Sequence, residues 1–294
     1  MELFASKLLF VIFFLKINNS YGQGEEIDFC DKDLCPYQGQ HVACGKNRTF
    51  SENCQGEVKL EDMRDYISLI LSKHNYYRNQ LAGGNVSNLD PAVRMPVMVG
   101  LSKLRKTFES TILILFYLIY PKHWDWDLAL TAEYNVRTCV FAHDKCRSTK
   151  QFHLAGQNIY WSKTTQLNLD TDYFIKDAIN MWFEEYKDVD RNVLQAYHNK
   201  TKKIGHFTVL VNDRQTVVGC AFLHNILPGR KKMCNVIFTC NYPTNNIRGI
   251  GTYKSGPPAS ECKQRNAEFT NLCDDPIDPN DLNWLTLDKK NVAN

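Results

Sequence analysis

The chain has 294 residues, 44% of them hydrophobic, with 35 Lys and Arg against 32 Asp and Glu and a formal charge of +3. That length allows one large domain with an extension, or two small ones. The positive excess sits at the N-terminus (Lys7, Lys16) and between residues 99 and 122 (Lys103, Arg105, Lys106, Lys122), so the remainder is slightly acidic and offers no broad basic surface for nucleic acid.

Residues 1–22 read as a secretory signal: Lys7, an apolar run from Leu8 to Leu15, then small and polar residues at Ser20–Gly22. That run is too short for a membrane helix, which needs roughly 20 residues, so no stable membrane anchor is expected. All eleven cysteines follow it. In an oxidising compartment they imply a disulfide framework with one cysteine left over. Zinc clusters are the competing reading, but no CxxC pair occurs. Three sequons, at Asn47, Asn85 and Asn199, agree with secretion.

Residues 23–58 carry Cys30, Cys35, Cys44 and Cys54 among polar, turn-forming residues and read as a stapled extension. A helix is predicted over 61–81, where Tyr66, Ile67, Ile70, Leu71, His74 and Tyr77 recur at helical spacing before Gly83 and Gly84. Residues 85–98 read as loop, with Pro91 and Pro96. A second helix is predicted over 124–146, with Leu128, Ala132, Val136, Cys139 and His143 on one side. A third is predicted over 171–189, with Ile175, Ile179, Trp182, Tyr186 and Val189 as its stripe. Strands follow: "HFTVLV" and "TVVGCAF" around "NDRQ" read as a hairpin, and "CNVIFTCNY" adds a third strand. The tail, 244–294, reads as an extended arm cross-linked through Cys262 and Cys273. Helices first and strands later predict an α+β fold, an antiparallel sheet covered by helices, over 59–243.

Two histidines flank the helix-to-strand region, His143 in "FAHDKC" and His206 in "GHFT". A lone histidine is usually structural. At about 100° per residue, Glu185 lies roughly 60° from Trp182 on the apolar stripe, whereas Glu184 lies about 160° away and should face water. His143, His206 and Glu185 would make a His₂Glu set, a normal zinc donor combination. The same three groups without metal make a polar pocket.

"HNYYRN", "FAHDKC", "GQNIYW", "MWFEEYKD", "GHFT", "VGCAF" and "FTCNY" occur in the order found in the CAP superfamily, which joins cysteine-rich secretory proteins, antigen 5 and pathogenesis-related type 1 proteins. The chain resembles the fly antigen 5 branch over about residues 28–273. The resemblance implies a three-layer α-β-α sandwich with a central cleft, whose tetrad maps onto His143, Gln157, Glu185 and His206. Gln157 stands where much of the family has Glu, and an amide keeps hydrogen-bonding capacity but loses a charge. Val209 and Asn212 stand near positions where the family usually has Gln and Trp. His74 and Arg78 are expected to brace helix and sheet. The family's disulfides imply Cys30–Cys44, Cys35–Cys146, Cys54–Cys139, Cys220–Cys240 and Cys262–Cys273. That leaves Cys234 as a buried free thiol or an intermolecular bridge.

The function implied is a secreted, non-enzymatic binding or effector protein of salivary or venom type. Its partner would be an extracellular protein, or a small ligand such as a lipid or sterol. No RGD tripeptide occurs to support integrin block, and only Cys262 and Cys273 follow the core, so ion-channel block is the less expected role. No cofactor is required. The rival is a metal-dependent peptidase or redox enzyme, with zinc or copper on His143 and His206 and Glu185 as ligand or base. It lacks an HExxH motif.

Val99–Lys122 interrupts the resemblance, because family members run almost directly from an "ARMPVM"-like stretch into "WDWDLA". Its ten uncharged residues from Thr111 to Tyr120 are too few to span a bilayer. Val codons begin with GT and a Lys codon ends with AG, so this segment reads as an in-frame unspliced intron ending in T-rich codons. The rivals are a true surface loop and a membrane-touching insertion. Peptide mapping of the native secreted protein should yield Met98 followed directly by His123 and Trp124. Peptides from "TFESTILILFYLIYPK" would establish a real insertion.

Overall fold

The structure is a computed structural model that describes residues 27–36, 39–98, 124–198 and 203–275. The signal segment, residues 99–122, the Asn199 sequon and the end of the tail lie outside the described residues. In chain order come β1 (Glu57–Leu60), α1 (Ile67–Ala82), α2 (Trp126–Val136), β2 (Gly156–Thr164), α3 (Thr171–Glu184), the short helices α4 (Arg191–Gln195) and α5 (Gly205–Leu210), then β3 (Gly219–Leu227) and β4 (Met233–Tyr242).

The four strands form one antiparallel sheet in the order β1-β3-β4-β2. Alternation along β3 and β4 sends Cys220, Phe222, Val236, Phe238, Cys240 and Tyr242 into the larger core, which also holds buried residues of α1 and α3. Ala221, Leu223 and Ile237 point the other way, onto Ala132 and Val136 of α2. The result is an α-β-α sandwich. Gly219 is needed where α2 crosses the sheet, because a Cβ there would lie 2.2 Å from Ala129 N and 2.3 Å from Asp125 O. Asp125 and Asp170 cap α2 and α3 by accepting from Leu128 N and Tyr173 N.

Three sequence expectations are corrected. The second helix ends at Val136 rather than continuing to Cys146. Cys139 has a positive φ of 53° and is bonded to Cys54, which no continuing helix permits. Its side chain and His143 therefore leave the helical stripe for a loop. "HFTVLV" is the helix α5, not a strand. The Glu185 carboxylate accepts from the backbone N–H groups of His206 and Phe207, a cap supplied by a distant segment. The hairpin is instead formed by β3 and β4. β1 and β2, which the sequence reading had not identified as strands, are the two edges of the sheet.

The structure contains Cys30–Cys44, Cys35–Cys146, Cys54–Cys139, Cys220–Cys240 and Cys262–Cys273. Cys35 and Cys54 tie the extension to the loop after α2. The tail returns over the loop after α1, with bridges between Ala92 and Ser255 and between Pro96 and Cys273. Cys234 is free and buried, so it presents no surface thiol for an intermolecular bridge.

The inner face of α1 is unusually polar. His74 Nδ1 lies 2.8 Å from Ile70 O and its Nε2 lies 2.9 Å from Tyr242 Oη. Only a hydrogen on Nδ1 suits a carbonyl, so Nε2 accepts from the tyrosine and the ring is neutral. Burial holds its pKa down at about 4. The unfolded chain takes up a proton near the ordinary histidine value, so the stabilisation is complete above about pH 6.5 and is lost as pH falls toward 4. Urea unfolding should show a loss of about 3 kcal/mol over that window, reduced in the His74→Gln variant.

Candidate functional site

The four cleft residues come from four segments. His143 sits on the loop after α2, Gln157 is the second residue of β2, Glu185 follows the end of α3, and His206 is the second residue of α5. They form two pairs, one on each side of the β2 edge. His143 Nδ1 lies 2.8 Å from Gln157 Oε1, and His206 Nδ1 lies 2.7 Å from Glu185 Oε1.

Acceptor-only groups fix the protons in the first pair. Asn241 Nδ2 faces Leu128 O and Thr131 Oγ1, so its Oδ1 accepts from Gln157 Nε2 at 3.0 Å. Gln157 Nε2 also donates to Asp144 Oδ2 at 2.8 Å. The Gln157 oxygen must therefore face His143, which donates from Nδ1 and keeps its lone pair on Nε2. Asp144 is itself held by Arg147 Nε at 2.6 Å and by Asn135 Nδ2 at 3.0 Å. His143 is exposed at the mouth, yet the protein around its ring lowers its pKa. The Gln157 bond opposes that effect, and the Arg147 charge adds to it.

In the second pair the carboxylate accepts three N–H bonds. Glu185 Oε2 accepts from His206 N at 2.9 Å and Phe207 N at 3.1 Å, while Oε1 takes the His206 ring proton. His206 therefore carries a hydrogen on Nδ1. Its ring stacks on Trp182 at 6.1 Å, and Trp182 stacks on Phe238 at 5.6 Å. Asn158 Nδ2 donates to His206 O at 3.0 Å, joining β2 to α5. Glu185 has a 14% exposed side chain and Glu184 a 38% exposed one, with Glu184 paired to Lys187 at the surface. The helical angle had separated these two neighbours in that sense.

The His₂Glu set does not form as a donor shell, because Glu185 binds the back of the His206 ring and the α5 backbone. Among the described residues no three His, Cys, Asp or Glu side chains are grouped to hold a metal ion. Sequence reasoning missed Asp144 and Asn241, although Asp144 adjoins His143 in "FAHDKC" and Asn241 lies in "FTCNY". Val209 and Asn212 are buried away from the mouth. Asn47 and Asn85 are exposed, as glycan acceptors must be.

A family model described as the cysteine-rich secretory protein family, CAP, matches residues 71–242. Venom allergen-1 of Aedes albopictus is 35% identical over 84% of this chain and 87% of its own length. Antigen 5 like allergen Cul n 1 of Culicoides nubeculosus is 32% identical over 67% of this chain and 84% of its own length. The crystal structure of NaASP2 with Zn2+ superposes with a TM-score of 0.50 at 23% identity, covering 78% of this chain and 98% of that one. That likeness concerns the fold.

Gln157→Glu should be costly here. Asp144 Oδ2 and Asn241 Oδ1 would each lose their donor and face an acceptor, for about 1–3 kcal/mol of stability. The new carboxylate should raise the His143 pKa, read by NMR titration of the ring proton.

Proposed function

On the premise that the chain belongs to the CAP family of cysteine-rich secretory proteins, among its venom allergen and antigen 5-like members, we propose that it acts outside the cell as a non-enzymatic binding protein. The observation that carries this reading is the commitment of Glu185. Three N–H donors, two from the α5 backbone and one from the His206 ring, take up three of the roughly four acceptor sites of this carboxylate, so Glu185 is committed to positioning His206 and capping α5. A general base must be within hydrogen-bond reach of the proton it removes. Gln157 cannot serve, being an amide.

What the cleft offers instead is two imidazoles, each held through its Nδ1 by Gln157 or Glu185. Such a pair suits donors on a partner protein or on a small polar-headed ligand. The cleft mouth continues into large apolar side chains left in water, Val140 and Phe141, close to His143 in the same loop. A polar mouth with an apolar margin is the composition of a recognition site.

The metal-dependent reading keeps one point in its favour. Metal-bound histidines typically donate their second ring nitrogen to a carboxylate or carbonyl, as His206 and His143 do. Zinc or copper would then be held by two imidazoles alone. Isothermal titration with Zn2+, combined with peptide-hydrolysis and redox assays, separates the readings. We expect weak zinc binding and no turnover that a His143→Ala/His206→Ala double variant removes. Stoichiometric metal with turnover lost in that variant would reverse the assignment. Mass spectrometry of solvent extracts of native protein should show whether a lipid occupies the cleft.

A further inference from the structure

We propose that the β2 edge and the β3–β4 hairpin tip together form a docking track for a sulfated polysaccharide. This surface is separate from the pairs that line the cleft.

Its first part is a rigid aromatic platform. Trp161 on β2 is 42% exposed and Phe141 is 56% exposed, and the two rings stack at 5.9 Å. Trp161 is not free to turn. Its Nε1 donates to Asn235 Oδ1 at 2.6 Å, Asn235 Nδ2 donates to Asn225 Oδ1 at 2.9 Å, and Asn225 Nδ2 donates to Gln55 O at 2.7 Å. An indole N–H only donates and a backbone carbonyl only accepts, so this relay has one orientation. Asn225 and Asn235 are both buried. Burying two amides is costly unless every bond is made. Here the satisfied ladder's outcome is an indole ring fixed in water. A core packing role does not explain an exposed ring. A flat face for stacking does.

Its second part is a cluster of positive side chains. Lys163, two residues along β2, lies with Nζ 5.2 Å from the Trp161 ring centroid. It pairs in register with Asn235, three residues before which stands Lys232, about 10 Å away along the strand. Arg230, Lys231 and Lys232 are consecutive and exposed in the β3–β4 turn. Among the described residues none of the three has an ion-pair partner within 4.0 Å. Glu57, on β1, pairs with Ile226, so a single carboxylate flanks the turn on the side away from Lys163, against three consecutive cations in the turn.

A short run of Lys and Arg is a patch for polyanions such as heparin. On a chain whose remaining charge is close to balanced, this cluster stands out locally. Arg and Lys pair with sulfate oxygens through charge-assisted bonds. The ring faces take the apolar faces of sugars between those charges. A ring pair followed by a row of cations fits a chain that presents both sugar faces and sulfates. Outside the cell, that polymer is a sulfated glycan.

The test is binding of the full secreted protein to immobilised heparin over a salt series. Arg230→Ala/Lys231→Ala/Lys232→Ala should weaken binding at least tenfold and lower the slope of log Kd against log salt by about 2. Trp161→Ala should weaken it roughly tenfold with the slope unchanged, since stacking is not ionic. Lys73→Ala/Lys176→Ala/Lys187→Ala removes equal charge from the helical face and should leave the affinity within twofold. Fully desulfated heparin should not compete. Equal affinity of the wild type and the turn variant would overturn the proposal. So would competition by desulfated heparin, or tighter binding to an oligodeoxynucleotide or to phosphatidylserine vesicles than to heparin. Should Trp161→Ala lower the melting temperature, the turn variant, which alters only an exposed loop, decides alone.

Discussion

The fold depends on a charge buried at its centre. Arg78 of α1 is fully buried. Its guanidinium donates to the carbonyls of Pro96, Leu210, Asn212 and Gln215, at 2.8–3.1 Å. Burial lowers its pKa to about 10, with the nearby Asp213 opposing the shift, so it stays charged at neutral pH. A planar fork of donors suits this task, since it can hold several carbonyls in one plane. Each of those carbonyls would otherwise be an unpaired buried acceptor costing about 1–3 kcal/mol. The arginine therefore sets where the turn after α5 lies against α1, and through it where His206 stands.

The same economy recurs in the sheet. Two amide relays cross its α2-facing side, each anchored on an acceptor-only group and each ending on an aromatic ring at the surface. One runs from Leu128 O through Asn241 and Gln157 to His143. The other runs from Gln55 O through Asn225 and Asn235 to Trp161. Low dielectric makes a half-satisfied relay expensive and a complete one rigid. Both are complete, and both orient groups that could touch a partner.

Gln157 belongs to this economy rather than to metal chemistry. Its amide donates to Asp144 and Asn241 while accepting from His143, three roles no carboxylate can fill at once. The neighbouring Asp144 supplies the negative charge on this side of the cleft, neutralised by Arg147. The departure from the family's usual Glu is thus accommodated by surrounding donors and acceptors.

The sequence by itself determined a good deal. Helical spacing located α1 and α3 because their apolar stripes are long enough to outweigh local ambiguity. The 100° step separated Glu185 from Glu184, and ordered motifs identified the family. Short elements were another matter. "HFTVLV" is β-branched and apolar, yet it is a helix because Glu185, twenty-one residues earlier, accepts its first N–H groups. The second helix stops where a disulfide partner from the extension pulls Cys139 out of line. β1 and β2 are edges, half polar, and carry little periodic signal. Only the tertiary structure decided which partners hold the two cleft imidazoles through Nδ1, because those contacts join residues far apart in the sequence.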